Sequence, residues 1–478
     1  MRHAGKRTLA AVLVVAIVAG GVWVWMPVPR FVVGSVPIGV DEAILLTRRN
    51  DDTSRHWVEL VAADGTLRWS AETTPVEVGE ALGFTGAIAA GEQIILLGAR
   101  QYPNPEVVVF ALARSDGHRL WESTLPGTPP MGRAGRIGPM LVADAERVYV
   151  VDEIESDGRL HERLHTLSLA TGAVSWERAA LDGPPPLGHG VMVTPMKNDR
   201  LLASKPFESP AVELDPATGA ITRRVPASRF LCQLPESWIG GNHDSVLSVP
   251  MDATQPIRTV ELDAGESIPN EAPCGARGDD LILGVRTRTG EDFSTEGLAI
   301  TRFDDATGQR RWTLPLGSPL FQDNAVLDGP LPRFLPIAVY GGDAAADSLG
   351  MTLLIVDLDA GTVVERVDVG EMYPTVLVTS GRAWVWWGGR AVLVEINPDT
   401  GRFGGATTYP GVYIGEPRLE DLRFGQLWVT GSGWARPQEL PWDVIDLATG
   451  ALVGANGGLV AREVPLSELG EGFANRGP

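Results

Sequence analysis

Residues 298–312 read LAITRFDDATGQRRW, and residues 164–176 read LHTLSLATGAVSW. In both, apolar residues alternate up to a Thr-Gly pair, and a tryptophan stands four residues past the glycine. A period of two puts successive side chains on opposite faces of an extended strand. The Thr-Gly pair supplies the positive-φ glycine that a tight reversal requires. Each stretch is therefore a β-hairpin with a tryptophan at a fixed place on its second strand.

The pattern is written repeatedly along the chain. Residues 58–69 (VELVAADGTLRW) and 107–121 (VVVFALARSDGHRLW) end on Trp69 and Trp121, as the two quoted copies end on Trp312 and Trp176. Copies lacking the tryptophan are 211–224 (AVELDPATGAITRR), 257–267 (IRTVELDAGES), 353–366 (LLIVDLDAGTVVER), 392–405 (VLVEINPDTGRFGG) and 443–455 (DVIDLATGALVGA). Their fourth residues past the glycine are Arg223, Pro269, Glu365, Gly405 and Gly454. The turn glycines, from Gly65 to Gly450, recur at intervals of about 48 residues. Further strand-like runs lie between hairpins, at 94–97, 147–151, 281–285, 337–340 and 383–387. Four short strands per unit of this length is the spacing of a β-propeller blade, and a lone blade cannot bury both faces, so the units must stack around an axis.

The Thr-Gly-x-x-x-Trp phrase resembles the tryptophan-docking repeat of the PQQ-like (pyrroloquinoline-quinone-type) β-propellers, and the resemblance covers about residues 40–455. It implies that the indoles of Trp69, Trp121, Trp176 and Trp312 stack between neighbouring blades. Seven or eight blades are common in that family. Nine hairpins exceed eight by one, and the Gly265 copy, followed by Pro269, is the one discounted. The expected fold is an all-β, eight-bladed propeller of four-stranded antiparallel sheets, with seven or nine blades as alternatives. Residues 459–464 are expected to pair with the first unit and close the ring, which would remove two unpaired strand edges.

Composition and address bound the function. The chain carries 40 Lys+Arg against 60 Asp+Glu, a net charge of −20, with 44% hydrophobic residues. That balance excludes wholesale disorder, and the negative charge makes nucleic acid and anionic lipid poor partners for the body. Arg2, His3, Lys6 and Arg7 precede an uncharged run, 8–28, that is about 30 Å long as a helix, enough to cross a bilayer. Trp23 and Trp25 fall at its far end, where aromatic rings favour the lipid–water boundary. The reading is a cytoplasmic segment 1–7, a signal-anchor helix 8–28, a linker 29–39, an extracytoplasmic propeller 40–466 and a loose tail 467–478. A cleaved signal peptide with a secreted body is the alternative. Cys232 and Cys274 are the only cysteines. Their separation is close to the repeat period, so a disulfide between neighbouring units is open to them in an exported compartment, with two buried thiols as the other reading.

Candidate chemistry is sparse. Catalytic quinoproteins of the resembled family use an Asp base, Ca²⁺ held by Glu, Asn and Asp, and often an adjacent Cys-Cys pair. This chain has no adjacent cysteines and no C-x-x-C-H, and no catalytic residue of the family maps onto it. His161 and His165 have metal-ligand spacing for a helix but sit between strand-like runs, where i and i+4 share a face but are about 13 Å apart. Asp304 and Asp305 flank a repeat turn, where acids cap the reversal. Trp384, Trp386 and Trp387 form an aromatic strand read as core, with an exposed contact patch, enlarged by Trp428, Trp434 and Trp442, as the alternative. No P-loop, G-x-S-x-G or H-E-x-x-H occurs. The expectation is a non-catalytic, membrane-tethered binding or scaffold module with no cofactor and no metal, meeting a protein or cell-envelope partner through the segments 50–55, 127–136, 236–244 and 341–349. The resemblance supplies a precedent in the lipoprotein scaffold of the outer-membrane barrel-assembly machinery, although this chain offers no lipobox. The alternative is an exported enzyme working in the propeller funnel, either a dehydrogenase using PQQ with calcium or a lyase or hydrolase.

Overall fold

A computed structural model describes residues 30–466 apart from 40–41, 50–55, 63–65, 74–86, 101–105, 127–140, 157–158, 180–191, 197–199, 206–207, 228, 242–244, 270–272, 290–294, 317–324, 329, 342–349, 371–373, 380, 388–390, 410–416, 424–425, 432–441, 450 and 456–460. The segments 8–28 and 467–478 lie outside the described residues. Among those described, no helix is long and apolar enough to cross a membrane.

The described chain forms nine sheets. Blade 1 runs Arg30–Gly39, Glu42–Arg49, His56–Ala62 and Leu67–Thr73, each strand antiparallel to the one before it. Blades 2 (87–126), 3 (141–179), 4 (192–225), 5 (229–260) and 9 (417–455) repeat that four-strand order. Blade 6 (266–315) has five strands, because Glu266–Ser267 and Cys274–Arg277 both pair with Asp280–Thr289. Blade 7 (334–370) has three. Blade 8 (374–408) has six: Ala325–Asp328 joins its inner edge in parallel with Pro374–Thr379, and Arg462–Val464 joins its outer edge beside Phe403–Thr408. The first strands of blades 1 to 4 lie side by side in succession, and the first strand of blade 9, Pro417–Arg423, lies beside Arg30–Gly39. First strands thus line the axis, and the disc closes from blade 9 onto blade 1.

The architecture is the tryptophan-docked β-propeller that the repeat implies, with nine blades, the alternative count, rather than eight. The Gly265 copy is a connection between blades 5 and 6 and not a hairpin. Blade 5 is nonetheless complete, reversing between Val246–Pro250 and Arg258–Val260 without any glycine. Closure also differs from expectation. Residues 30–39, read as linker, supply the first strand of blade 1, so that blade has no vacant edge for a C-terminal strand, and 462–464 pair with blade 8 instead.

The core lies between blades rather than within them. Ile44, Leu46, Val58 and Leu60 of blade 1 pack with Ile94, Leu96, Val108 and Phe110 of blade 2, and six further clusters fill the boundaries from blade 2 to blade 9. The Trp384/Trp386/Trp387 strand alternates as its period requires. Trp387 enters the cluster toward blades 6 and 7, while Trp384 and Trp386 enter the cluster toward blade 9. The side chains of Trp428, Trp434 and Trp442 lie outside the described residues.

Candidate functional site

The repeat turn is built by its own side chains. Four residues before the glycine, Asp215, Asp304, Asn397 and Asp446 accept backbone N–H bonds from the turn, for example from Ala217 at 2.8 Å and from Thr307 at 2.8 Å. The glycine N–H in turn donates to the carbonyl of that same residue, as Gly219 does to Asp215 and Gly308 to Asp304. Thr307 Oγ1 bonds the Asp304 carboxylate at 2.9 Å and lowers its pKa, so the acid stays charged in the turn.

Four of the repeat turns are then capped by a tryptophan of the blade before. A Cβ on Gly117 would come within 2.4 Å of the Trp69 ring, one on Gly172 within 2.4 Å of Trp121, one on Gly219 within 2.7 Å of Trp176 and one on Gly361 within 2.8 Å of Trp312. These glycines have φ near +70°, so the position excludes a side chain twice over. The indole N–H bonds fall on carbonyls three residues before the next glycine: Trp69 to Arg114 at 2.9 Å, Trp121 to Leu169 at 2.8 Å and Trp176 to Pro216 at 2.8 Å. At three boundaries that lack the tryptophan an arginine bonds across instead, while between blades 7 and 8 Phe334 underlies Gly401 and Glu365 accepts from Phe403 N. Arg223 Nη2 donates to Pro250 O at 2.7 Å, Arg258 Nη1 to Asp305 O at 3.0 Å and Arg382 Nη1 to Ala448 O at 3.2 Å. Sequence reading missed this substitution, although Arg223 stands at the tryptophan position and signalled it. It also missed Trp238, a fully buried indole that donates to Glu213 Oε1 at 2.9 Å and ties blade 5 back to blade 4. Glu213 is buried as well and receives Arg200 and Arg223. Cys232 and Cys274 form a disulfide between blades 5 and 6, with Cα atoms 5.7 Å apart.

The expected chemistry of other residues is taken up structurally. Asp305 accepts bonds from Ser237 and Ser248 of blade 5 at 2.9 and 2.6 Å. His161 and His165 share strand Arg159–Ser168. His165 is buried, with Nε2 3.1 Å from an Asp152 carboxylate that also holds Arg163. Among the described residues no group of three His, Cys, Asp or Glu could hold a metal ion. The cysteines are bonded across two blades rather than adjacent. No step is assigned to a Ca²⁺–quinone site.

Two of the cavities among the described residues bear on binding. One, of about 540 Å³, opens between blades 8 and 9; its walls include Trp384, Leu447, Thr449 and two carboxylates, Glu395 and Glu463, and no base. The other, of about 290 Å³, spans blades 6, 7 and 8 at the face carrying the tight turns, and its walls include Arg277, Arg333 and Arg382 and no acid. Arg277 precedes the turn at Gly278, Arg382 follows the one at Gly381, and Arg333 leads into Phe334–Gly341. All three are braced from behind. Arg277 places Nε and Nη2 on Asp359 at 3.0 and 2.8 Å, and Arg333 places Nη2 on Asp357 at 2.8 Å. Arg382 pairs with Glu395. Arg333 and Arg382 also lie over the rings of Phe334 and Trp384, at 4.8 and 5.3 Å. The Arg277 bond, joined by the charges of Arg302 and Arg333, holds the Asp359 carboxyl below its ordinary value.

No protein-family model matches the chain, and no curated protein does. Among solved structures it is similar to BamB from Moraxella catarrhalis, at 16% identity over 74% of this chain and 82% of that one, with a TM-score of 0.37. It is similar to a quinohemoprotein alcohol dehydrogenase from Comamonas testosteroni at 10% identity over 77% and 72%, with a TM-score of 0.38. An uncharacterized protein from Listeria monocytogenes matches at 8% identity over 79% and 94%, with a TM-score of 0.35.

Proposed function

We propose that this chain is a non-catalytic binding module: a propeller tethered to a membrane by residues 8–28, with its N-terminus cytoplasmic and its body extracytoplasmic, that docks a protein or cell-envelope partner. The observation that carries the reading is the cross-blade tying. Indole or guanidinium bonds to backbone carbonyls, a disulfide and buried apolar boundaries leave the described blades little freedom to slide, and a rigid disc with loops at its strand ends is a docking surface. Glu213, Asp305 and the paired cysteines are spent on those ties, and the chain's net charge of −20 opposes a nucleic-acid partner.

The test is photo-cross-linking of the full chain in intact membranes, with labels in 127–136 and 341–349. Capture of one stoichiometric partner from one face is the expected result. Dye-linked alcohol or sugar oxidation by the purified full chain after addition of PQQ and Ca²⁺ would overturn it. Protease protection of a tag at residue 1, with accessibility of a tag at residue 478, checks the orientation.

A further inference from the structure

We infer that the recess between blades 6, 7 and 8 is a binding site for a small oxyanion, a phosphate or a carboxylate group, recognised by Arg277, Arg333 and Arg382. The inference stands apart from the docking proposal, since it requires neither a membrane nor a partner protein.

Three guanidinium groups from three blades line a recess of about 290 Å³ in which no lining residue is acidic. On a chain of net charge −20 such a lining runs against the prevailing field. Structural arginines of this protein are more enclosed: the Arg302 and Arg310 side chains, paired with Asp280 and Glu266, are 17% and 23% exposed, against 48% for Arg333 and 37% for Arg382. The recess arginines are bonded on one edge only. Arg277 and Arg333 offer Nε and Nη2 to Asp359 and Asp357, so in a planar guanidinium Nη1 points away from the carboxylate. Arg382 spends Nη1 on Ala448 O and Nη2 on Glu395, which leaves Nε. Carboxylates behind all three, and aromatic rings beneath Arg333 and Arg382, fix these groups before any ligand arrives, which lowers the ordering cost of binding. Fixed planar donors that keep free N–H groups match the geometry of phosphate and carboxylate oxygens. The larger cavity between blades 8 and 9 has Glu395 and Glu463 in its wall and no base among its lining residues.

The experiment is calorimetric titration of the full chain in neutral detergent at low ionic strength. The probes are inorganic phosphate in one arm and an N-acetylated, C-amidated tri-glutamate peptide in the other. Saturable binding in the millimolar range is expected in at least one arm; the tighter arm tells whether phosphate or a peptide carboxylate is the better match. R333Q and R382Q should each weaken it about tenfold, the scale of one charge-assisted hydrogen bond. R382K keeps the charge and should restore part of the loss. R119Q alters an arginine stacked on Phe110 in blade 2 and should leave binding unchanged. Thermal midpoints and tryptophan emission without ligand establish that each variant is folded. No saturable heat in either arm, or equal affinity in folded R333Q and R382Q, overturns the site.

Discussion

Trp121 and Gly172 show how one residue pair carries a blade boundary. Gly172 needs its φ of +71° for the reversal and its missing Cβ for the indole, whereas Gly91, at +59°, has nothing within 4 Å of an added Cβ. Both alanine substitutions incur left-handed strain of about 1–2 kcal/mol. Gly172→Ala adds a clash with the ring and should cost about 3 kcal/mol or more in total. Denaturation midpoints of the two variants separate the terms; equal losses would mean that the indole yields freely. Trp121→Phe retains most of the packing but leaves the Leu169 carbonyl unbonded, a loss of about 1–2 kcal/mol. At blade 4 the same role falls to Arg223, 12% exposed, which serves Glu213 and Pro250 together. Arg223→Met should therefore destabilise more than Trp121→Phe, because it strands Glu213 with fewer partners. Matched chemical unfolding of the pair decides.

At the scale of elements, the hairpins with a glycine and a tryptophan were legible because local chemistry dictates them. Alternation sets the faces, Asp or Asn with Thr builds the turn, and glycine fills the one place without room for a side chain. The hairpin of blade 5 was not legible. Its reversal, residues 251–257, uses Asp252 bonding to Thr254 instead of a glycine, and no tryptophan follows. The neighbouring Asp-Ala-Gly at 263–265 then imitates a repeat turn while serving as a connector. The arginine recess was equally hidden, since residues 277, 333 and 382 share no spacing and meet only because successive blades bring their strand ends together on one face. The blade 5–6 boundary carries the disulfide, which closes a loop of 42 residues. Constraining a loop of that size in the unfolded chain is worth about 4 kcal/mol. C232S/C274S should lower the unfolding midpoint accordingly, with the extra hydrogen exchange concentrated in 229–233 and 274–277. An exchange increase spread evenly around the disc would contradict that local role.

Across the whole molecule, charge and turn chemistry pull stability in opposite directions with pH. The net charge of −20 repels itself, so mild acidification from neutrality relieves strain on the closed disc. Against this stand carboxylates held below their ordinary range. Asp215 is lowered by the Ala217 N–H and the Thr218 hydroxyl, Asp304 by the Thr307 hydroxyl and N–H, and Asp359 by Arg277. A carboxylate whose folded pKa lies below its unfolded value of about 3.9 contributes fully above that value and loses its contribution as pH falls through the folded one. Repulsion therefore dominates between pH 7 and 5, and the turns dominate below about 4, because only there do their anchoring acids take up protons. The urea midpoint should be level or rise slightly from pH 7 to 5 and fall steeply from pH 4 to 2.5. Asp304→Asn should lower the midpoint at pH 7 and flatten the acid limb, since its amide does not titrate. These turns sit near the surface, so added salt should reduce the rise between pH 7 and 5 more than it alters the acid limb, which rests on short hydrogen bonds rather than on distant charges. A midpoint still climbing at pH 3, or an Asp304→Asn acid limb as steep as that of the parent chain, would show that the repeat turns do not set the acid stability of the ring.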